Sequence, residues 1–91
     1  MMSIKEARIL NVLLKKDRTT PVKSISIMAL MTLLKDTSYK MSESTLRKYV
    51  NGLLKNGYLE CGLKKEQEKR YYISEKGIKI MSEITGGEID E

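Results

Sequence analysis

The chain has no histidine, tryptophan or phenylalanine, and only one cysteine and one proline. Without histidine, imidazole-based triads and proton shuttles are excluded. One cysteine and no histidine leave no zinc-ligand cluster. Cys61 has no partner in the sequence, so no intrachain disulfide can form. There is no glycine-rich phosphate loop, and the carboxylates are scattered among cations, as surface charge is. These absences point away from an enzyme and imply no cofactor and no metal. No apolar run approaches the roughly 20 residues needed to span a bilayer. The N-terminus is amphipathic and charged, unlike a secretory leader. A cytoplasmic protein is expected.

What the sequence has is basic charge. Lysine and arginine number 17 against 12 acids, and four of those acids (Glu83, Glu88, Asp90, Glu91) lie in the last nine residues. Residues 1–82 therefore carry 17 bases and 8 acids, a net +9. A basic domain with an acidic tail suits a polyanionic partner, although many ordinary soluble proteins are also basic. With 91 residues, 41% of them hydrophobic, one core is expected. We assign residues 1–84 to a single domain and 85–91 to an acidic, disordered tail. A domain this small commonly gains stability by oligomerising.

Periodicity and capping signals divide the domain. Ser3 with Glu6 forms a capping box ahead of Ala7, Leu10 and Leu14, which share one helical face flanked by Ile9 and Leu13. This predicts a helix over about 3–16. Pro21 leads into a segment with apolar residues from Ile25 to Leu34. A strand over Val22–Ile27 is one reading; the methionine, alanine and leucine content favours a buried helix. Asp36–Met41 reads as a turn. Ser42 caps a third helix whose apolar stripe is Leu46, Tyr49, Val50, Leu53 and Leu54, ended by Asn56-Gly57.

Beyond Gly57 the period falls to two. Leu59, Cys61 and Leu63 alternate with polar neighbours, which predicts a buried Cys61 thiol. After the charged run Lys64–Lys69, Arg70-Tyr71-Tyr72-Ile73 alternates again, so the segment is a β-hairpin with a charged tip. Ser74 caps a last helix carrying Ile78, Ile80, Met81 and Ile84. Met28, Met31, Met41 and Met81 are expected as core filler. The fold class is thus mainly α with a small β-hairpin: a three-helix core, a wing and a C-terminal helix.

Two stretches resemble the winged helix-turn-helix transcription regulators, in particular those like the MarR and PadR families. Ser42–Val50, running through Leu53-Leu54-Lys55-Asn56-Gly57-Tyr58-Leu59, is similar to a recognition helix and its exit into the wing. Arg70-Tyr71-Tyr72-Ile73-Ser74-Glu75-Lys76-Gly77 is similar to the strand that closes the wing and opens the next helix. The resemblance implies a DNA-binding regulator. The turn between the second and third helices is longer here than is usual.

The residues themselves point the same way. Off the apolar face of the third helix lie Glu43, Ser44, Thr45, Arg47, Lys48, Asn51 and Lys55. Arginine and asparagine can read guanine and adenine edges in the major groove. Serine, threonine and lysine hold phosphates, and the cap at Ser42 adds backbone donors. The hairpin offers Lys64, Lys65, Lys69 and Arg70 to backbone or minor groove. Either set can also be read as a solvated face or a protected edge. The expected partners are double-stranded DNA and a second copy of the chain, the copies meeting through Ile78, Ile80, Met81 and Ile84. No small-molecule ligand or membrane partner is implied. A winged helix used for protein–protein contact, and an accessory DNA-binding factor in replication or a mobile element, remain alternatives.

Overall fold

The computed structural model describes residues 2–38, 40–62 and 68–85, with Thr85 described in its backbone only. In chain order the elements are helix α1 (Ile4–Lys15), a 3-10 turn (Pro21–Lys23), helices α2 (Ile27–Lys35) and α3 (Glu43–Lys55), strands β1 (Leu59–Cys61) and β2 (Tyr71–Ile73), and helix α4 (Glu75–Thr85).

Each helix begins where its capping residue dictates. The Ser3 hydroxyl accepts from the Glu6 amide at 3.2 Å, and the Glu6 carboxylate accepts from the Ser3 amide at 2.9 Å. This is the expected capping box. Ser26 caps α2 through the Ala29 amide, and Ser42 caps α3 through the Thr45 amide. At α4 the Ser74 hydroxyl accepts from the Gly77 amide at 3.0 Å. Serine suits all four positions because its oxygen satisfies an amide that has no partner inside the helix.

Two helices end in the same device. In α1 the Arg18 amide donates to Leu13 and the Asp17 amide to Leu14. In α3 Tyr58 donates to Leu53 and Gly57 to Leu54. Both are Schellman ends, which need one left-handed residue. Gly57 supplies it at φ 81° and Asp17 at φ 59°. Asp17 has a β-carbon, yet short polar side chains tolerate this region better than others do. Its carboxylate pairs with Lys23 and accepts from the Thr19 hydroxyl, which ties the helix end to the 3-10 turn.

The core is built around α1, which packs against the other three helices and β2. Ile9, Leu10 and Leu13 of α1 are fully buried, together with Leu30, Leu34, Leu46, Leu53, Leu59 and Ile73. Each such side chain contributes about 1.5–3 kcal/mol by leaving water. The predicted single apolar stripe is too narrow a description of α1, because Val12 is buried as well. A helix covered on several sides buries more than one stripe.

The strands pair antiparallel with Leu59 opposite Ile73, Glu60 opposite Tyr72 and Cys61 opposite Tyr71. Ile25 bridges the other side of Tyr71, the two residues exchanging backbone bonds at 2.9 and 2.7 Å. Both readings of residues 22–34 are therefore partly right. Ile25 is strand-like and the helix starts only at Ile27.

Two expectations are corrected here. Cys61 is exposed, not buried. Cys61 ends the outer strand of the ladder and is left uncovered, while Tyr71 opposite it, flanked on its other side by Ile25, is buried. Met28 is 58% exposed rather than core filler, because it lies on the side of α2 that lines a cleft with α3 and the wing, while its neighbour Ile27 takes the core side. Met31 and Met41 are half-buried and Met81 is buried. Among the described residues no helix is long and apolar enough to cross a membrane. Among them also, no group of three or more histidine, cysteine, aspartate or glutamate side chains is placed to hold a metal ion.

Candidate nucleic-acid interface

The polar face of α3 is where the sequence puts it. Ser44, Lys48, Asn51 and Lys55 are exposed, and their spacing forms one stripe along the helix. Arg47 lies beside this stripe and is also exposed. Leu46, Val50 and Leu53 are buried on the opposite side, fixing the helix against the core.

The hydroxyls at the N-terminus of α3 are less available than their exposure implies. Ser42 donates to the Thr45 hydroxyl at 3.0 Å while accepting from the Thr45 amide at 3.3 Å. Both side chains are engaged in the cap. Ser44 lies 3.4 Å from the Ser42 hydroxyl. Lys55 is in the last turn, where its charge also offsets the helix dipole.

Arg47 and Asn51 do not stand on a flat surface. With Ser26, the cap of α2, Met28 within that helix, and Glu68 and Lys69 of the wing they line a cleft of about 430 Å³. Tyr71 closes its floor and is buried, which pushes its hydroxyl above the usual tyrosine range; the nearby Arg47 charge opposes that shift. Arg47 donates to the Glu43 carboxylate from Nε at 2.9 Å and from Nη2 at 2.8 Å.

The wing contributes Lys69, which is exposed, and Arg70, which is half-buried with its Nε 4.0 Å from the Glu68 carboxylate. Lys64 and Lys65 lie outside the described residues, as do Tyr39 and the tail beyond Thr85. On the outer edge of the hairpin the Tyr72 hydroxyl donates to Glu60, and this bond raises its pKa. Tyr72 and Tyr58 are half-buried. Tyr58 carries the Lys76 ammonium 5.1 Å from its ring centre.

A second concavity, of about 560 Å³ and largely apolar, lies between the start of α1 and α4. Ile4, Ala7, Tyr58, Ile80 and Ile84 line it, and Ile4 and Ile84 are 65% and 48% exposed. Of the four residues expected to join two copies, Ile84 is exposed and Ile78 and Ile80 are half-buried. Met81 is 1% exposed in the domain's own core and has no surface to offer a second copy. Its place on the inner side of α4 removes it from that set.

Sequence reasoning missed three features of the cleft. Ser26 as the start of α2 had no acidic partner to mark a capping box. Met28 and Glu68 reach the cleft only through tertiary packing. The Glu43–Arg47 pair did carry a signal, since oppositely charged residues four apart on a helix are neighbours.

A helix-turn-helix whose second helix runs into an antiparallel hairpin, closed by a further helix, is a winged helix. No protein-family model matches the chain, and no curated protein matches it. Among solved structures, the chain is similar to the solution structure of the DNA-binding TubR fragment from Clostridium botulinum. The match has 28% identity and a TM-score of 0.72, and covers 92% of this chain and 98% of that one. The winged-helix class is thereby supported, while the finer likeness to MarR or PadR regulators finds no match.

Proposed function

We propose that this chain binds double-stranded DNA in a sequence-specific manner and acts as a small transcriptional regulator in the cytoplasm, without catalysis. Helix α3 enters the major groove and the wing lies on the adjacent backbone. The observation that carries this reading is the cleft in which Arg47 and Asn51 of α3 meet Lys69 of the wing. Base-reading groups and a phosphate-binding cation share one concave surface, as direct readout beside backbone contact requires. The similarity to a DNA-binding fragment supports it.

Ser44, Lys48 and Lys55 contact phosphates along the groove, with Ser42 and Thr45 ordering the helix end that meets them. Arg70 extends the basic surface of the wing, and the same phosphate contact is assigned from the sequence to Lys64 and Lys65, outside the described residues. The functional unit is a homodimer on a two-fold site. Ile78, Ile80 and Ile84 of α4 form its contact, supported by the exposure of Ile84 beside the apolar groove.

The test is a fluorescence-anisotropy titration with random and genomic duplexes at several salt concentrations. Affinity that falls steeply with salt and survives best on a subset of sequences is expected. Absence of binding at low salt would sink the reading and favour a protein-interaction module.

A further inference from the structure

We infer that Glu43 sets sequence specificity: its pair with Arg47 opens only against a guanine–cytosine step in the major groove. This rests on the DNA-binding reading above. The Arg47 guanidinium already has two of its donors on Glu43 Oε2, at 2.9 and 2.8 Å. The pair is half exposed, 54% for the arginine and 47% for the glutamate, so nucleic acid can reach it.

The two kinds of DNA contact differ in what they do to this pair. A phosphate can take Arg47, but Glu43 is then left without a partner beside a like charge. Glu43 also stands in the first turn of α3, where its charge opposes a phosphate approaching the helix N-terminus. Backbone contact therefore exchanges one ion pair for another and adds a repulsion. At a guanine–cytosine step the exchange is balanced. Guanine N7 and O6 accept from the guanidinium fork, and the cytosine N4 amine donates to a carboxylate. Both side chains keep a partner of the right polarity, so Arg47 is released where the sequence matches and withheld where it does not.

The experiment compares the full chain with Glu43→Gln and with Glu83→Gln, an exposed acid on α4 that controls for the loss of one negative charge. Each is equilibrated with a random-sequence duplex library and the retained duplexes are sequenced. Affinity for the unselected library is read by anisotropy. The unaltered chain should enrich a motif containing a guanine–cytosine step. Glu43→Gln should lose its preference for that cytosine by about fivefold or more. It should also bind the unselected library about two- to fivefold more tightly, and Glu83→Gln should do neither. Identical motifs from the unaltered chain and Glu43→Gln, or equal changes in both variants, would overturn the inference and leave DNA binding standing. If the unaltered chain retains no duplex at low salt, both readings fall.

Discussion

The Ser74 hydroxyl donates to the carbonyl oxygen of Gly57 at 2.6 Å and accepts from the Gly77 amide at 3.0 Å. One buried side chain thus joins the end of α3 to the start of α4 across the whole hairpin. Lys76 reinforces the joint by donating to the Asn56 carbonyl oxygen at 2.7 Å. The orientation of the wing relative to α3 depends on this joint. Ser74→Ala removes a helix cap and leaves a carbonyl oxygen unpaired. It should cost about 1–3 kcal/mol, read as a lower urea midpoint at unchanged slope.

Gly77 is the tight point beside it. A β-carbon there would lie 2.3 Å from the Tyr58 carbonyl oxygen and 2.7 Å from the Ile73 side chain. Neither is a flexible chain end. Gly77→Ala gains helix propensity in isolation but should destabilise the protein by about 1–3 kcal/mol or more. A rise in melting temperature would show that α4 can shift without cost.

Asp17 makes stability depend on acid. Its hydrogen bond from Lys23, and then the Lys23 charge, hold its pKa below the ordinary value of 3.8. A depressed carboxylate contributes stability that is present above the unfolded value and is lost as pH falls through the lower folded value. Asp17→Asn keeps a residue that tolerates the left-handed region and deletes the charge. Denaturation midpoints of the two proteins should differ near neutral pH and converge as pH drops below 3.8. The effect is small, because the pair is solvent-exposed.

On DNA, Arg47→Ala and Asn51→Ala should each weaken binding to the preferred sequence by about 1–3 kcal/mol and relax its choice at one position. Lys48→Ala and Lys69→Ala should weaken binding evenly across sequences. Each should lower the slope of log affinity against log salt by about 1. An unaltered slope in both lysine variants would move the backbone contacts elsewhere on the domain.

Ile84→Glu tests the proposed dimer. Ile84 is 48% exposed, so the substitution should leave the fold intact. Sedimentation should report a shift from dimer to monomer at micromolar concentration. A monomeric parent chain, or a dimeric variant, would reassign the apolar groove.

How far the sequence could be read follows from the range of each interaction. Ser3, Ser42 and Ser74 act on amides three residues away, and Gly57 acts on its own turn. Such local signals placed α1, α3, the exit from α3 and the start of α4 within a residue or so. The stripe Leu46, Val50 and Leu53 likewise settled which side of α3 faces out, and so where its polar residues stand. The start of α2 was not legible in this way. Ile25 is extended because Tyr71, far along the chain, pairs with its backbone, and a propensity sum over residues 22–34 contains no term for that.

Cys61 and Met81 mark the same boundary. Alternation determined that Cys61 lies on the same side of β1 as Leu59, but packing decided that Tyr71 opposite it is covered and Cys61 on the outer strand is not. Helical spacing put Met81 among the apolar residues of α4; only the packing of α4 on α1 decided that it is interior while Ile84 is left at the surface. The sequence by itself determined the order of elements, the caps of α1, α3 and α4 and the basic character of α3 and the wing, because these depend on neighbours in the chain. The cleft that joins Arg47, Asn51 and Lys69 was decided by tertiary structure alone, since burial of α1 at the centre sets how α2, α3 and the hairpin meet.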